Sequence, residues 1–366
     1  MMSTIRKELG SNAPIRTYSV GFEGADKVNE TQYAKQVSDF FGTEHEEFII
    51  RPDVIKLLPE IVYHCDEPMA DPALIPLFIL AKEAKRTSTV ILTGDGGDEI
   101  FGGYDQYRIL KAVNLATKIP LVSSIGPFIA KFIPLRLWDK FYKHASDLGK
   151  KAYVRGEKVI RSIRKNKTAS YYHLLGMFDE DERKKVLKQY YYEQLCLADN
   201  NRKYFDGEDY VRNLQLFDMK VLLPESFLMK TDRMTMANSI EARVPLLDHR
   251  IVELAFSYKS KDKVRGFFKT KYCFRKALKG LLPDNIINRK KQTFHVPIEN
   301  WLNGELKDYV KKLLDHEKIR NQGILNTNEV ERIIKDYDSG KLFYARQLWT
   351  LITFQLWYDR YFGVKS

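Results

Sequence analysis

The first ninety residues alternate between two hydrophobic patterns. Runs rich in β-branched and aromatic residues predict three strands, over Arg16–Phe22, Glu46–Ile50 and Thr89–Thr93. Apolar residues at helical spacing predict three helices, over Glu30–Phe41, Val54–Val62 and Leu74–Lys85. This alternation of strand and helix predicts a parallel sheet covered by helices.

After Tyr104 the pattern changes. Strand-like runs become scarce, and helical patterns dominate at Tyr210–Met229, Ile251–Phe256 and Tyr344–Phe362. In the last of these segments apolar side chains cover most of the helix circumference, so we predict that it is buried. The sequence thus divides into an α/β part and a larger, mostly helical part.

Composition narrows the class of protein. The 366 residues are 44% hydrophobic and 30% charged, enough for one large soluble domain or two smaller ones. The three cysteines, Cys65, Cys196 and Cys273, are widely separated, which argues against a disulfide framework or a zinc site and for a reducing cytosol. Met1–Gly10 has no apolar signal core, and prolines interrupt Ile119–Leu135, the longest apolar stretch. A cytoplasmic location is therefore expected.

The net charge of +12 allows attraction to polyanions, and basic residues concentrate in Lys150–Lys167. A solvated helix face is the simpler interpretation, because no aromatic-flanked RNA motif accompanies these charges. Nucleic-acid binding stays the less favoured alternative.

The strongest local signal is TGDGGDEIFGGY, at Thr93–Tyr104, directly after a predicted buried strand. Ligands of open α/β sheets bind at the carboxyl ends of strands. The glycines let the backbone approach a ligand, and the carboxylates are compatible with a polyphosphate if Mg²⁺ stands between them. An ordinary acidic turn is the alternative.

Three further stretches carry candidate chemistry. Asp66–Pro72 is a stiff acidic loop, which a helix-start cap would also explain. Leu223–Asp248 interleaves charges with methionines and leucines, a pattern that also fits a structural ion-pair network. Arg289–Pro297 is a basic loop whose lysines offer charge to a phosphorus centre, or are simply solvated. His295 lacks a neighbouring carboxylate or nucleophile motif and is interpreted as structural.

Taken in this order, the four stretches resemble the carboxy-terminal synthetase domain of asparagine synthetases, members of the PP-loop ATP pyrophosphatase superfamily. The similarity runs from Thr17 to Phe362 and includes the shorter matches TYSVGF, ExxYA and FGTEH. It implies one synthetase domain over residues 1–366. Residues 1–105 would be a Rossmann-like parallel sheet of the adenine nucleotide alpha hydrolase type, and residues 106–366 a mainly helical remainder that carries further site residues.

The resemblance also implies a reaction. The side-chain carboxylate of aspartate attacks the α-phosphate of ATP, giving β-aspartyl-AMP and Mg²⁺-pyrophosphate. Ammonia, released from glutamine by a separate amidase domain, then displaces AMP to form asparagine. Aspartate, ATP, Mg²⁺ and ammonia are therefore the expected substrates and cofactors, and a homodimer is an expected assembly of the full-length form.

The resemblance assigns five residues to the nucleotide and its metal. Val20, Thr93 and Gly94 are expected to line the adenosine pocket, and Gly96 belongs to the same glycine loop. Asp98 is expected to hold Mg²⁺ together with pyrophosphate.

Three more residues receive catalytic roles from the resemblance. Asp95 stands where many relatives carry a glutamate that positions substrate or takes a proton from ammonia. Lys291 stands where the family's lysine contacts the α-phosphate and pyrophosphate, and Arg233 is expected to support this charge cluster. Asp95 is one methylene shorter than glutamate, about 1.5 Å less in reach, which puts its role in doubt.

Two expected parts are missing from the sequence. The family's loop Ser-Gly-Gly-x-Asp-Ser, which grips pyrophosphate, has no match, and the strand before it would lie between Arg16–Phe22 and Thr89–Thr93. The amidase domain is absent as well. We therefore expect a fragment that is catalytically impaired on its own.

Three other functions stay open at this point. The first is a related amide-forming enzyme, such as a β-lactam synthetase or an amidotransferase for another acceptor. The second is a non-catalytic remnant that acts as an interaction module. The third is a PP-loop enzyme that modifies tRNA, which the motifs within Thr231–Asp248 disfavour.

Overall fold

The computed structural model describes residues 2–11, 13–23, 29–119, 150–163, 165–195, 201–266, 269–289 and 296–363, with the backbone alone for 150–155. Over these residues the chain is mixed α/β and mostly helical. None of the described helices is long and apolar enough to cross a membrane. The apolar stretch that begins at Ile119 lies almost entirely outside the described residues.

The strands form two small parallel sheets. β1 (Arg16–Phe22) pairs along its length with β2 (Glu44–Ile50), and β3 (Val90–Leu92) pairs with β4 (Glu241–Arg243). The predicted parallel pairing is confirmed, but one continuous sheet is not formed in the described part of the chain. β4 was not predicted, because three residues are too few to show an alternating pattern.

Six helices lie in or next to the α/β part, and the sequence predicted the second, third and fourth of them to within a few residues. They are α1 (Met2–Glu8), α2 (Thr31–Phe41), α3 (Val54–Cys65), α4 (Leu74–Ala84), α5 (Gly97–Phe101) and α6 (Asp105–Ala116). α2 stops at Gly42, which adopts the left-handed conformation that a glycine reaches without strain. α3 starts where the Asp53 carboxylate accepts the backbone N–H of Lys56.

The remainder is built from short helices and one long final helix. They are α7 (Lys150–Ser162), α8 (Lys167–Leu175), α9 (Glu180–Val186), α10 (Gln189–Glu193), α11 (Tyr210–Phe217), α12 (Met229–Met236), α13 (His249–Ser257), α14 (Ser260–Lys263), α15 (Tyr272–Ala277), α16 (Asp284–Asn288), α17 (Ile298–Asn303), α18 (Leu306–Leu313), α19 (His316–Gln322), α20 (Thr327–Asp338) and α21 (Ala345–Phe362). Short 3₁₀ turns cover Arg202–Phe205, Pro245–Leu247 and Leu342–Tyr344.

The single helix predicted over Tyr210–Met229 is interrupted. A π-helix, Asp218–Leu228, separates α11 from α12. Pro224 within it has no N–H to donate, which disfavours regular α-helical bonding there. Stretches of π-helix are rare and occur frequently at functional sites.

The largest hydrophobic core joins α3 and α4 to the carboxy-terminal helices. Its members include Leu58, Ile75 and Ile352, all fully buried, and Trp301 packs 5.9 Å from Trp349 between ring centroids. α21 supplies much of this core, so the prediction that the last helix is buried is confirmed. A second cluster, around Phe217, lies between α6, α8 and α11.

Helix α4 supports one strand of each sheet. Tyr18 of β1 and Ile91 of β3 both pack against a cluster formed by Ala81 and Ala84 of this helix together with Ile240. The Tyr18 hydroxyl also lies 2.7 Å from Thr87 Oγ1, in the segment that leads into β3. The two strands therefore lie over the same helix without sharing backbone hydrogen bonds.

The first and last side chains of β3 are more exposed than is usual for a central strand of a parallel sheet. Val90 is 43% and Leu92 47% exposed, whereas strands of a parallel sheet are normally covered on both faces. An apolar surface therefore remains open along β3.

Candidate active site

The glycine-rich loop follows β3 directly. The Thr93 N–H donates to the Arg243 carbonyl and extends the pairing of β3 with β4 by one residue. Gly96 has a φ of +83°, and a side chain there would overlap Leu247. Gly94 is exposed, with nothing near the position of a Cβ. Close packing thus explains the glycine at Gly96, while Gly94 leaves room for a ligand.

Asp95 is held by two hydroxyl groups. Thr93 Oγ1 donates to Asp95 Oδ2 at 2.8 Å, and Thr231 Oγ1, from α12, donates to the same oxygen at 3.0 Å. Within the described residues no hydrogen bond reaches Oδ1. The carboxylate is therefore fixed in direction and keeps one oxygen available for a ligand or a proton.

Asp98 forms an ion pair with a lysine that the sequence analysis did not single out. Lys271 Nζ lies 3.0 Å from Asp98 Oδ1, and both side chains are about one quarter exposed. A side chain at Gly103 would overlap both groups, so the second glycine pair of the motif makes room for this contact. Lys271 has a φ of 51°, a conformation that residues with a side chain rarely adopt.

No signal in the sequence distinguished Lys271 from its neighbours. It lies in the basic stretch KTKYCFRK, between two recognised motifs, and basic residues are common throughout this chain. Its importance emerges only from the fold, which brings the start of α15 to the glycine-rich loop.

Arg233 points away from Asp95. Its guanidinium pairs with Asp66 at 2.8 Å, and Lys230, one turn earlier on α12, pairs with Asp71 at 2.6 Å. The two cations share a helix face because they are three residues apart. Thr231 lies on a different face and reaches Asp95 instead. The structure therefore places Arg233 against the acidic Asp66–Pro72 loop.

The acidic loop leads into α4, whose N-cap, Ala73, makes no side-chain cap hydrogen bond. Asp71 Oδ1 accepts the backbone N–H of Ala73 at 2.9 Å, while its other oxygen binds Lys230. One carboxylate thus caps the turn before α4 and anchors α12.

Two predicted site residues are placed less directly. Val20 is partly buried in β1, opposite Phe48 of β2. Lys291 lies outside the described residues, as does His295. Arg289, just before that segment, pairs with Glu30 at 2.6 Å, so the basic loop starts beside the amino-terminal end of α2.

A buried polar network lies behind the loop. The Tyr104 hydroxyl donates to Glu99 at 2.6 Å, and Glu99 is 2% exposed. Asp218, which is fully buried, accepts hydrogen bonds from the hydroxyls of Tyr107 and Tyr171. Burial raises the pKa of Asp218 to about 7, against the opposing effect of the two tyrosine hydrogen bonds.

The donor set restricts how a metal would be held. No group of three histidine, cysteine, aspartate or glutamate side chains within the described residues is arranged to hold a metal. Asp98 offers one partly exposed carboxylate. This fits Mg²⁺, which typically keeps several waters and binds through one or two carboxylates and substrate phosphates.

Comparison with known proteins identifies the family that this chain matches. The pattern of the asparagine synthase family matches residues 2–359. Asparagine synthetase [glutamine-hydrolyzing] 1 of Bacillus subtilis is 33% identical over 94% of this chain and 52% of its own length. A putative asparagine synthetase [glutamine-hydrolyzing] of Mycobacterium bovis is 31% identical over 95% of this chain and 51% of its own length.

A more distant relative is amidase chry2 of Gibberella zeae, 22% identical over 85% of this chain and 48% of its own length. The chain therefore spans about half the length of the curated relatives that it matches. Because the family pattern covers nearly every residue, this chain belongs to the asparagine synthase family.

Proposed function

We propose that this chain is the synthetase part of a glutamine-dependent asparagine synthetase, which activates aspartate with ATP and forms the amide from ammonia. Residues 1–366 would make up the synthetase domain, and glutamine hydrolysis would belong to an amidase domain outside them. The relatives named asparagine synthetase, at 31–33% identity over most of this chain, support the proposal.

The observation that carries the proposal is the arrangement at the end of β3. Asp95, fixed by Thr93 and Thr231, and Asp98, paired with Lys271, lie three residues apart in the glycine-rich segment after β3. This combination of an oriented carboxylate, a metal-compatible carboxylate and a lysine suits a reaction that builds negative charge at phosphorus.

Each side chain receives a role. Asp98 would bind Mg²⁺, which would neutralise charge on pyrophosphate as that group leaves. Lys271 Nζ, released from Asp98 by the metal, would bind a phosphate oxygen, and Lys291 would contribute a second cation. Asp95 would use its available Oδ1 to orient ammonia or accept its proton. Val20, Thr93, Gly94 and the backbone of Gly96 would contact the adenosine.

We propose further that one more strand completes the sheet between β1 and β3. Both strands pack on the cluster that includes α4 with no ladder between them, and among the described strands β3 pairs only with β4. The strand and the pyrophosphate-binding loop after it would come from sequence outside these residues. This chain alone would then be catalytically impaired.

The test is aspartate-dependent exchange between ATP and pyrophosphate, measured on two proteins. The purified chain is expected to show little exchange. A chimera in which this chain replaces the matching half of the Bacillus subtilis enzyme is expected to restore exchange and to form asparagine from aspartate, with glutamine as the source of ammonia. Strong exchange by the chain alone would contradict the requirement for a further strand. An inactive but folded chimera would contradict the proposed function.

The chimera also tests the role of Lys271. Replacing Lys271 with methionine removes the cation and keeps most of the side-chain length, so exchange is expected to fall by about 10- to 100-fold. Lys269, two residues earlier and exposed, provides the matched control. Equal activities of K271M and K269M would exclude a direct role for Lys271.

A further inference from the structure

Asp66 has an unusual backbone. It ends α3 with a φ of 59°, in the left-handed region, which is normally occupied at helix ends by glycine or asparagine. A residue with a side chain stays there only where its surroundings hold it. The contacts around Asp66 therefore indicate why the chain keeps this backbone conformation.

Two elements remote in sequence hold Asp66. The indole Nε1–H of Trp357, on α21, donates to the Asp66 carbonyl oxygen at 2.8 Å. Arg233, on α12, pairs with the Asp66 carboxylate at 2.8 Å. Close by, the Tyr361 hydroxyl donates to the Tyr63 carbonyl at 3.3 Å and fastens the end of α3 to α21 a second time.

The held loop in turn holds α12. Asp66 and Asp71 bind Arg233 and Lys230, which lie on one face of that helix. Exposed ion pairs contribute little when both partners are mobile. Here the backbone of Asp66 is held by Trp357, so less freedom is lost when the ion pair forms, and the loop contributes to holding the helix in place.

The position of α12 decides whether Thr231 can add to the hydrogen bond from Thr93 that orients Asp95. Thr231, on this helix, must lie within hydrogen-bond distance of Asp95 Oδ2 to donate to it. A shift of α12 by about 1 Å would lengthen the 3.0 Å contact beyond the range of a hydrogen bond. The contacts thus form a continuous path from α21 to the reactive carboxylate.

We infer that Trp357 and Asp66 are positioning residues, which hold α12 so that Thr231 orients Asp95. This inference rests on the proposed function for its catalytic consequence, although the path itself is structural. It gives the carboxylates of the acidic loop a positioning role, rather than one in binding substrate.

The matched pair of variants is Trp357→Phe and Trp349→Phe. Each removes an indole N–H from α21, but the buried Trp349 N–H has no hydrogen-bond acceptor among the residues that the structure describes. In the active chimera, W357F is expected to lower kcat by about fivefold with both KM values within about twofold. W349F is expected to leave kcat unchanged, whatever it does to thermal stability.

A double-mutant cycle then separates positioning from general weakening of the fold. If Trp357 acts through Thr231, W357F should have no further effect on kcat once Thr231→Val is present. Asp66→Asn tolerates the left-handed backbone but loses the charge, and its effect should also disappear in the T231V background. Effects of W357F and T231V that simply multiply would overturn the inference.

Hydrogen exchange on the purified chain gives a readout that needs no turnover. W357F is expected to speed exchange of the amides in residues 67–73 and 230–237 several-fold, and W349F is not. If the chimera is inactive, the proposed function fails. Hydrogen exchange then tests by itself whether Trp357 holds the acidic loop and α12. Unchanged exchange in W357F would show that Trp357 does not hold the loop.

Discussion

Carboxylates occupy two different settings in this molecule. At the end of β3, Asp95 and Asp98 are paired with hydroxyls or with a cation, and each keeps some contact with solvent. Behind the loop, Asp218 is fully buried and is bound by tyrosine hydroxyls. The first set belongs to the candidate site, and the second to the helical core.

The two settings carry different energetic consequences. A partly exposed carboxylate beside a lysine stays charged and exchanges its partner for a ligand at small cost. A buried carboxylate without an adjacent cation loses its hydration on folding and favours the protonated form. Solvent access and the choice of cation or phenol partner therefore separate residues suited to chemistry from residues that hold helices together.

The largest effect is expected from Asp98→Asn. This change keeps the shape of the side chain but removes the charge needed beside Mg²⁺ and Lys271. Aspartate-dependent exchange in the chimera should fall by about 100- to 1000-fold, the usual cost of removing one strong electrostatic contact at a phosphoryl-transfer site. Thermal unfolding of the purified chain should change little, because the carboxylate is partly exposed.

Asp39→Asn on the exposed face of α2 is the control for that variant. If D98N and D39N retained equal exchange activity, Asp98 would have no role in catalysis, and the distinction between site carboxylates and structural carboxylates would be wrong.

The next effect concerns Asp218 and pH. Its folded pKa of about 7 lies above the value of 3.8 in an unfolded chain, so between these values the native state binds more protons. The free energy of unfolding should therefore fall as pH rises from about 4 to about 7, by up to roughly 4 kcal/mol from this group. Asp218→Asn, which cannot ionise, should lose this contribution.

The measurement is denaturant unfolding of wild type and D218N at several pH values. Only the difference between their curves is used, because other groups titrate in the same range. Asp232→Asn, at an exposed position on α12, is the control. Parallel curves for wild type and D218N would show that Asp218 is ionised in the native state at low pH.

Local pattern predicted most of the α/β part correctly. Strand β1 and helices α2 to α4 were found within a few residues, because each is long enough to show its periodicity. β4 and the π-helix were missed. A three-residue strand such as Glu241–Arg243 forms because β3 offers it a partner, and the π-helix forms in surroundings that bury Asp218 between Tyr107 and Tyr171. Both depend on contacts remote in sequence.

The residues of the candidate site also fall into those with a local sequence signal and those that depend on contacts remote in sequence. The sequence identified the loop with Asp95 and Asp98, because glycines and carboxylates after a strand are a local signal. It did not identify Lys271, and it placed Arg233 with the phosphate-binding charges, whereas the structure pairs it with Asp66. Which cation meets which carboxylate is decided by how remote segments pack, and residue types alone do not encode that.

The smallest expected effect concerns a buried cation, which tests whether burial shifts the pKa of a lysine as it does that of Asp218. Lys263 is 1% exposed, and its Nζ lies 4.6 Å from the centre of the Phe256 ring.

Burial lowers the Lys263 pKa from 10.5 to about 8, so the native state releases this proton before the unfolded chain does. Stability should therefore rise between about pH 8 and pH 10, and Lys263→Met should remove that rise while adding about 3 kcal/mol at pH 7. Lys261→Met, on the exposed part of the same helix, should do neither. A pH-independent difference between wild type and K263M would mean that Lys263 is charged throughout. Burial alone would then not distinguish the helical core from the site.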